Sequence, residues 1–266
     1  MNLLGKSVPA PSRYAPEILH PIPRSIARGE LGLEGPLPFH GDDLWHAWEL
    51  AWLDDTGQPR QGVGRFRFPV TTANLVESKS FKLYLGSLYN SRFDDIQALC
   101  TTLTTDLSAV ADGAVQAQIL QIDDPALAPT RLPGRCVDQA QIDTVAAAPD
   151  AAMLEVDRGA TGDSSQYSHG LRSLCPVTGQ PDWATVVLHS RRGAVSDASL
   201  RAYIASFREH QEYHEQCVER MFRDLAAAGL EDFSIHALYT RRGGMDINPW
   251  RSTAPGIGPI LRTQRQ

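Results

Sequence analysis

The feature that most constrains the fold of this chain is an internal repeat. The tetrapeptide Thr-Gly-Gln-Pro stands at residues 56–59 and again at residues 178–181. Since this tetrapeptide suits a tight turn, its recurrence alone could be chance. The patterns around it, however, follow the same order in both halves: a pair of strands, a pair of helices and a returning strand. We therefore predict a duplicated α+β chain in which each half forms an antiparallel sheet with a helix pair on one face.

Apolar periodicity and turn residues set the expected boundaries of these elements. The predicted strands cover residues 44–53, 64–70, 115–122, 153–156, 167–174, 184–191 and 233–240. The predicted helices cover residues 78–90, 94–111, 196–206 and 208–228. The chain is thereby divided into an extended N-terminal arm (1–40), a first module with a linker at its end (41–150) and a second module (151–266).

Charge and cysteine usage narrow the class of protein. The net charge is −6, which disfavours direct nucleic-acid binding because that function needs a basic face. No apolar run reaches the length of a membrane span, and the first 35 residues carry prolines and charges where a signal peptide has an unbroken apolar segment. The four cysteines include no Cys-x-x-Cys pair, so we expect reduced thiols and a cytoplasmic protein.

One of these cysteines stands where it could act as a nucleophile. Cys175 follows a predicted strand and precedes a turn rich in proline and glycine, and this loop could return Asp182 toward the sulfur. A thiolate at such a position can attack an electrophilic carbon, and a nearby carboxylic acid can protonate the atom left behind. The residues alone equally allow a buried structural cysteine and an aspartate that caps a turn.

A second segment, residues 207–217, is crowded with titratable groups and has a helical pattern. His210 and His214 would share one helix face, and Glu215 would lie at the border of the buried face. A carboxylate such as Glu215 can accept two N–H donors from the edge of a guanine-type ring. Two other interpretations stay open. The segment could be an ordinary solvated helix face, or His210, His214 and Cys175 could bind zinc.

Two further segments carry positive charge that suits an anionic ligand. Glu77-Ser78 can begin a helix whose first turns contain Lys79 and Lys82, and lysines near a helix N-terminus are better explained by a bound anion. Arg242 and Gly243 belong to an Arg-Arg-Gly-Gly loop that could hold a phosphate. An amphipathic helix and a polar turn are the simpler interpretations. No Gly-x-Gly-x-x-Gly follows a strand, so a Rossmann fold is not indicated.

Together these segments resemble the NADPH-dependent 7-cyano-7-deazaguanine reductases of queuosine biosynthesis, in their longer, two-module form. The resemblance runs from about residue 44 to the end of the chain. It is carried by residues 77–84, 175–183, 207–217 and 239–252. It implies the tunnelling fold, which is shared with the zinc enzyme GTP cyclohydrolase I but here lacks a metal. It also implies a homodimer that acts on a small deazapurine nitrile, with no direct part for nucleic acid or membrane.

The resemblance further implies a role for individual residues. Cys175 resembles the nucleophile that adds to the nitrile carbon as a covalent thioimide, and Asp182 resembles the acid that protonates the nitrogen. Two NADPH molecules then serve as cosubstrates. The residues that resemble substrate contacts are Val76, Glu77, Ser78, His214 and Glu215. The residues that resemble NADPH contacts are Ser78, Lys79, Arg242 and Gly243.

Three rival functions remain at this point. The first is a zinc-dependent hydrolase of the same fold that acts on a purine or pterin. The second is a thiol nitrilase that hydrolyses the thioimide instead of reducing it. The third is a purine-binding or tRNA-associated module without catalysis, in which Cys175 would have no role in binding.

Overall fold

The computed structural model describes residues 11–266. Their contacts divide them into two compact units. The first unit comprises residues 11–34, 43–128 and 241–246, and the second comprises residues 35–42, 129–240 and 247–266. Both units combine strands with helices, so the predicted α+β class is confirmed.

The first unit is built from an antiparallel sheet with the strand order β5-β3-β2, in which Val63 on β3 pairs with Leu120 on β5. Its core is aromatic. Phe81 on α2 lies 5.1 Å from Phe66 on β3, ring centre to ring centre, and neither side chain is exposed. Burial of each such ring contributes roughly 1.5–3 kcal/mol. The elements of this unit are β1 (Pro21–Pro23), α1 (Arg24–Glu30), β2 (His40–Leu53), β3 (Pro59–Pro69), β4 (Asn74–Val76), α2 (Ser78–Ser87), α3 (Ile96–Ala111) and β5 (Gln116–Leu120). Residues 40–42 at the start of β2 are assigned to the second unit.

The second unit is built around long strands with the order β10-β9-β8-β7-β6. Helix α4 packs on β7 and helix α5 packs on β9. Arg251 on β10 is fully buried and pairs with the buried Glu219 on α5 at 3.0 Å. The elements are β6 (Arg135–Cys136), β7 (Val156–Leu174), β8 (Pro181–Val195), α4 (Asp197–Ala205), α5 (His214–Ala228), β9 (Asp232–Tyr239) and β10 (Met245–Ser252). Residues 245 and 246 at the start of β10 are assigned to the first unit.

The two halves match the predicted order of strand pair, helix pair and returning strand, but several predicted boundaries were wrong. The short strand expected at residues 153–156 is a 3-10 turn, Ala151–Met153, and β7 begins only at Val156. The helix expected at residues 208–228 begins at His214, after a separate 3-10 turn, Ser206–Glu209. The sheet of the second unit is antiparallel from β7 to β10, while the two-residue β6 pairs with β7 in parallel.

The predicted extended arm is also more structured than expected. Residues 1–10 of this arm lie outside the described residues. Beyond them, strand β1 pairs with β4, and helix α1 follows directly. The Arg24 side chain is buried and donates to Asp43 at 2.6 Å, which fixes the start of α1 to β2. No helix within residues 11–266 has the length and apolar character needed to cross a membrane.

Candidate active site

Cys175 lies at the start of the hairpin loop that joins β7 to β8. Its backbone N–H donates to the Gln180 carbonyl at 2.9 Å, and its carbonyl accepts from the Gly179 N–H at 2.9 Å. Gly179 has a φ of 66°, a conformation that glycine adopts without strain. The loop is therefore closed by its own main chain. It places the Cys175 thiol directly after the strand, where the side chain is only 5% exposed.

Asp182 faces the same loop from the other strand. It is paired across the hairpin with Ser173, two residues before Cys175, and its side chain is 6% exposed. Its Oδ2 atom lies 3.3 Å from Nε2 of His214, the first residue of α5. The second unit thus brings a carboxyl group and an imidazole together beside the hairpin loop that carries the Cys175 thiol.

Tyr239, which has no role predicted from the sequence, holds the His214 ring by its face. The Tyr239 ring, at the end of β9, stacks on the His214 ring with a centroid distance of 3.9 Å. Burial and the neighbouring Cys217 thiol raise the pKa of Tyr239, so the phenol stays neutral. Burial likewise raises the pKa of Cys217, which therefore remains an unreactive thiol, unlike a nucleophile. The stacking fixes the plane of the imidazole. A tyrosine at the end of a predicted strand gives no sequence signal that it will stack on a histidine from another element.

The start of α5 is fixed by the segment before it. The Leu174 N–H donates to the His210 carbonyl at 2.8 Å, and the Glu212 N–H donates to the Leu174 carbonyl at 3.2 Å. These bonds hold residues 210–212 in an extended conformation along the end of β7. His210 consequently precedes the helix and does not share a helix face with His214, so that prediction was wrong. Among residues 11–266, His210, His214 and Cys175 do not bring three ligand atoms together, which removes the support for the zinc hydrolase.

Glu212 holds this segment through its side chain as well. The carboxylate is 4% exposed, accepts from Arg220 Nε at 2.9 Å and lies 3.1 Å from His210 Nε2. Burial acts to raise the pKa of Glu212, but the bonds from His210 and Arg220 outweigh it, and the pKa lies below its ordinary value of 4.5. The carboxylate is therefore charged in the folded chain at neutral pH.

We expect this carboxylate to make stability depend on pH. A group with a lowered pKa in the folded state stabilises the fold above its unfolded pKa, and the effect is lost as the pH falls through the folded pKa. Glu212→Gln should therefore lower the free energy of unfolding by about 2 kcal/mol at neutral pH and by less under acidic conditions. Urea unfolding of both proteins at a series of pH values measures this difference.

The matched control is Glu209→Gln, which alters a 69% exposed carboxylate that lies 3.2 Å from Arg172. An exposed ion pair contributes little, so this variant should follow the wild type at every pH. An equal loss of stability at neutral and acidic pH in Glu212→Gln would show that the charge of Glu212 is not what stabilises the segment.

Glu215 and the residues around Glu77 are each placed by a helix start. Glu215 is the second residue of α5 and is 4% exposed. Glu77 is 2% exposed and caps α2, as predicted: its carboxylate accepts from the Lys79 N–H at 2.9 Å and from the Ser80 N–H at 2.7 Å. Val76 ends β4 and is buried. Since a carboxylate offers about four acceptor positions, Glu77 retains capacity for a ligand.

The loop around Arg242 and Gly243 lies in the first unit, as do Ser78 and Lys79. Arg242 and Met245 exchange two main-chain hydrogen bonds, at 2.8 and 3.1 Å, so the loop is a closed turn. Gly243 and Gly244 have φ angles of 60° and 80°. These angles lie in the region that favours glycine, whereas the approach of a Cβ atom on Gly244 to within 2.6 Å of the Glu49 carboxyl carbon would only require that exposed side chain to move.

Aromatic and acidic side chains contact the residues on either side of the Arg242–Gly243 turn. The guanidinium group of Arg241 lies 3.9 Å above the Trp48 ring. Trp48 Nε1 donates to Asp246 at 2.7 Å, and the buried His46 is bonded to the same carboxylate. Because His46 Nε2 accepts from Arg65, its Nδ1 is the protonated atom that donates to Asp246. No local sequence pattern reveals this network, since His46 and Asp246 are 200 residues apart.

The chain matches known proteins over almost its whole length. A family described as "Nitrile reductase, 7-cyano-7-deazaguanine-reductase N-term" matches residues 10–119, and one described as "QueF-like protein" matches residues 181–255. Relatives named NADPH-dependent 7-cyano-7-deazaguanine reductase include one from Dechloromonas aromatica, 47% identical over 96% of this chain and 92% of the relative. Another, from Saccharophagus degradans, is 42% identical over 99% and 98% of the two chains.

A third relative with the same name, from Stenotrophomonas maltophilia, is 46% identical over 99% of this chain and 96% of its own. The matched proteins form a class of nitrile reductases. The chain belongs to the 7-cyano-7-deazaguanine reductase family. Cys175 lies between the two matched family segments, so its role depends on the residues and geometry described above.

Proposed function

We propose that this chain reduces the nitrile group of 7-cyano-7-deazaguanine to the primary amine of 7-aminomethyl-7-deazaguanine with NADPH, through a covalent thioimide on Cys175. Family membership supports an NADPH-dependent oxidoreductase that acts on this nitrile, a step of queuosine biosynthesis and hence of tRNA modification. The observation that carries the covalent step is the hairpin of the second unit. It places the Cys175 thiol at one end of a loop and Asp182, 3.3 Å from His214, at the other.

The proposed first step is addition of the Cys175 thiol across the carbon–nitrogen triple bond. The thiol gives its proton to His214, the sulfur forms a bond to the nitrile carbon as one π bond breaks, and the nitrogen gains a proton from Asp182. His214 lies 3.3 Å from that carboxyl group and can return a proton to it. A thioimide accepts hydride more readily than a nitrile, so the covalent bond divides one difficult step into easier steps.

Two carboxylates are proposed to hold the deazapurine ring. Glu77 and Glu215 are 2% and 4% exposed, and buried carboxylates bind N–H donors strongly because water competes little. The guanine-type edge of the substrate is a row of such donors. Val76, Ser78 and His214 are proposed as their neighbours at the substrate.

The residues proposed for NADPH fit an anionic ligand. Arg242 and Gly243 form an exposed closed turn, and a Cβ atom on Gly243 would lie 3.8 Å from Lys82 Nζ, so a second cation stands beside the loop. The Ser78 and Lys79 N–H groups open helix α2, where the helix dipole favours negative charge. When bound, NADPH supplies the two hydrides that the reduction of a nitrile to an amine requires.

The finer architecture is part of the same proposal. We infer the tunnelling fold with two tandem modules, and a homodimer as the assembly. The net charge of −6 supports a protein without direct nucleic-acid contacts. Free cysteines throughout residues 11–266 support a reducing compartment, which we infer to be the cytoplasm.

The stoichiometry and the product test the proposed reaction. We expect the purified chain to oxidise two NADPH for each nitrile consumed and to yield the amine, identified by its mass. NADH in place of NADPH should react far more slowly, since it lacks the phosphate that Arg242 is proposed to bind. Release of ammonia with no NADPH consumed would establish hydrolysis instead, and tight substrate binding without any product would establish a binding module.

A further inference from the structure

We propose that Cys136, Asp138 and His169 form a zinc-binding site in the second unit. Each offers one ligand atom, and these atoms lie within 4.8 Å of one another. Thiolate, carboxylate and imidazole groups are the three kinds of ligand that zinc takes in proteins. None of the three residues has a part in the proposed reduction, so the ion would be an accessory one.

The backbone holds the two segments that carry these ligands side by side. Cys136 on β6 pairs in parallel with Tyr167 on β7, and the Val137 N–H donates to the Tyr167 carbonyl at 2.9 Å. The His169 N–H then donates to an Asp138 carboxylate oxygen at 3.0 Å. The three ligands therefore come from a locally fixed frame and not from the tips of flexible loops.

His169 is oriented as metal-binding histidines usually are. Its Nδ1 atom lies 2.9 Å from the hydroxyl oxygen of Thr185, which is 1% exposed, and the Tyr167 ring packs against the imidazole edge. When Nδ1–H donates to this hydroxyl, Nε2 carries the lone pair and can bind a metal ion. Such a bond to the second ring nitrogen fixes both the tautomer and the direction of the ligand.

Asp138 and Cys136 are already joined by a hydrogen bond, whose proton a bound cation could replace. The Asp138 carboxylate accepts from the Ser168 hydroxyl at 2.5 Å and from the Cys136 thiol. Zinc would displace the thiol proton and bind both groups, with the charges of thiolate and carboxylate offsetting its own. Tetrahedral zinc needs ligand atoms about 3.3–3.8 Å apart. Cys136 is exposed and Asp138 and His169 are half-buried, so small side-chain movements suffice and one position stays open to water.

A zinc ion here would have two physical consequences. It would tie residues 135–138 to β7, the strand that ends beside Cys175. It would also cover Cys136, which is the exposed thiol among the four cysteines and hence the one most open to oxidants. We therefore expect zinc to raise the thermal stability of the chain while leaving the chemistry at Cys175 unchanged.

Cobalt(II) serves as the probe, because a cobalt–thiolate bond gives a charge-transfer absorption that reports the ligand directly. The full chain is reduced, freed of metal with a chelator and titrated with Co²⁺, and zinc is then added as a competitor. We expect one cobalt per chain with the thiolate band in the wild type, and its loss when zinc is added. The band should vanish in Cys136→Ser and weaken with an affinity loss of at least about tenfold in His169→Gln.

Cys100→Ser is the matched control, since Cys100 is a half-exposed thiol of the first unit. It should retain the band and the affinity. A wild type without a thiolate band at saturating cobalt would overturn the proposal, and so would a band that survives in Cys136→Ser or is lost in Cys175→Ala. These readouts do not depend on turnover, so they separate failure of the metal site from failure of the proposed reaction.

Discussion

Cys175→Ala is expected to lower turnover of 7-cyano-7-deazaguanine by at least about 10⁴-fold, because removal of a covalent nucleophile leaves only binding and electrostatic effects. The variant should also fail to form the adduct. In the wild type, mixed with the nitrile in the absence of NADPH, the mass of the intact chain should rise by one substrate mass. Addition of NADPH should then reverse the gain and release the amine.

Two controls keep this result interpretable. The Cys175 side chain is 5% exposed, so the alanine variant must be shown to unfold at a similar urea concentration to the wild type. Cys100→Ala removes a thiol from helix α3 and should keep both turnover and the adduct. A wild type that is folded and reduced but never gains mass would argue against the thioimide. Turnover of Cys175→Ala within tenfold of the wild type would do the same.

The repeat was the part of the fold that the sequence predicted best. Both Thr-Gly-Gln-Pro segments close hairpins, and Gly57 and Gly179 have φ angles of 84° and 66°. A turn of this kind is specified by local chemistry, because the glycine must adopt a conformation that other residues avoid. The first hairpin opens with Asp54, whose carboxylate accepts from Thr56 and Gln58. The second opens with Cys175, so one repeat keeps a structural turn where the other presents a thiol.

The start of α5 could not be predicted because tertiary contacts determine it. Residues 207–217 contain neither proline nor glycine, so their pattern favours a helix throughout. In the structure, the end of β7 instead exchanges hydrogen bonds with residues 210–212, and the buried Glu212 binds Arg220 on the helix that follows. The end of β7 is distant in sequence from residues 210–212, and Arg220 lies beyond the segment, so the local pattern of residues 207–217 does not predict these contacts. The consequence matters for the site, since His214 becomes the first residue of α5.

The early part of β7 is a strand that the sequence pattern did not predict. Residues 156–164 contain two glycines and little apolar alternation, so the predicted strand began only at Tyr167. In the structure this stretch pairs with the end of β8 through two register irregularities, between Asp157 and Thr161 and between Thr161 and Ser164. Pairing with a neighbour extended the strand where intrinsic preference did not.

The residues of the candidate site could be proposed from the sequence because they stand near the ends of strands and helices. The side chains that support the site could not. Cys175, Asp182 and Glu77 each stand at a turn or a helix start, where sequence signals are strong. The side chains that support the neighbouring His214 and the loop after Arg241 come from elsewhere: Tyr239 stacks on His214 from the end of β9, and Asp246 joins Trp48 to that loop. Such contacts depend on which strands become neighbours, and that information is absent from any single segment.

Asp182→Asn is expected to lower turnover by about 10²- to 10⁴-fold, the usual contribution of a positioned general acid. Asparagine keeps the size of the side chain and can still bond to His214, whose Nε2 lies 3.3 Å from Oδ2, but it has no acidic proton to transfer. Binding of the nitrile should change little, so the loss should appear in kcat rather than in KM. The limb of the pH–rate profile that reports the acid should also disappear.

Asp163→Asn is the matched control, because it removes a 75% exposed carboxylate on β7 that pairs only loosely with Arg191, at 3.8 Å. It should retain wild-type turnover and the full pH profile. A merely structural role for Asp182 would lower stability and turnover together and would leave the shape of the profile intact. If Asp182→Asn instead turned over within tenfold of the wild type, the proton would have to come from His214 or water. The close pair of Asp182 and His214 would then serve only to position the imidazole.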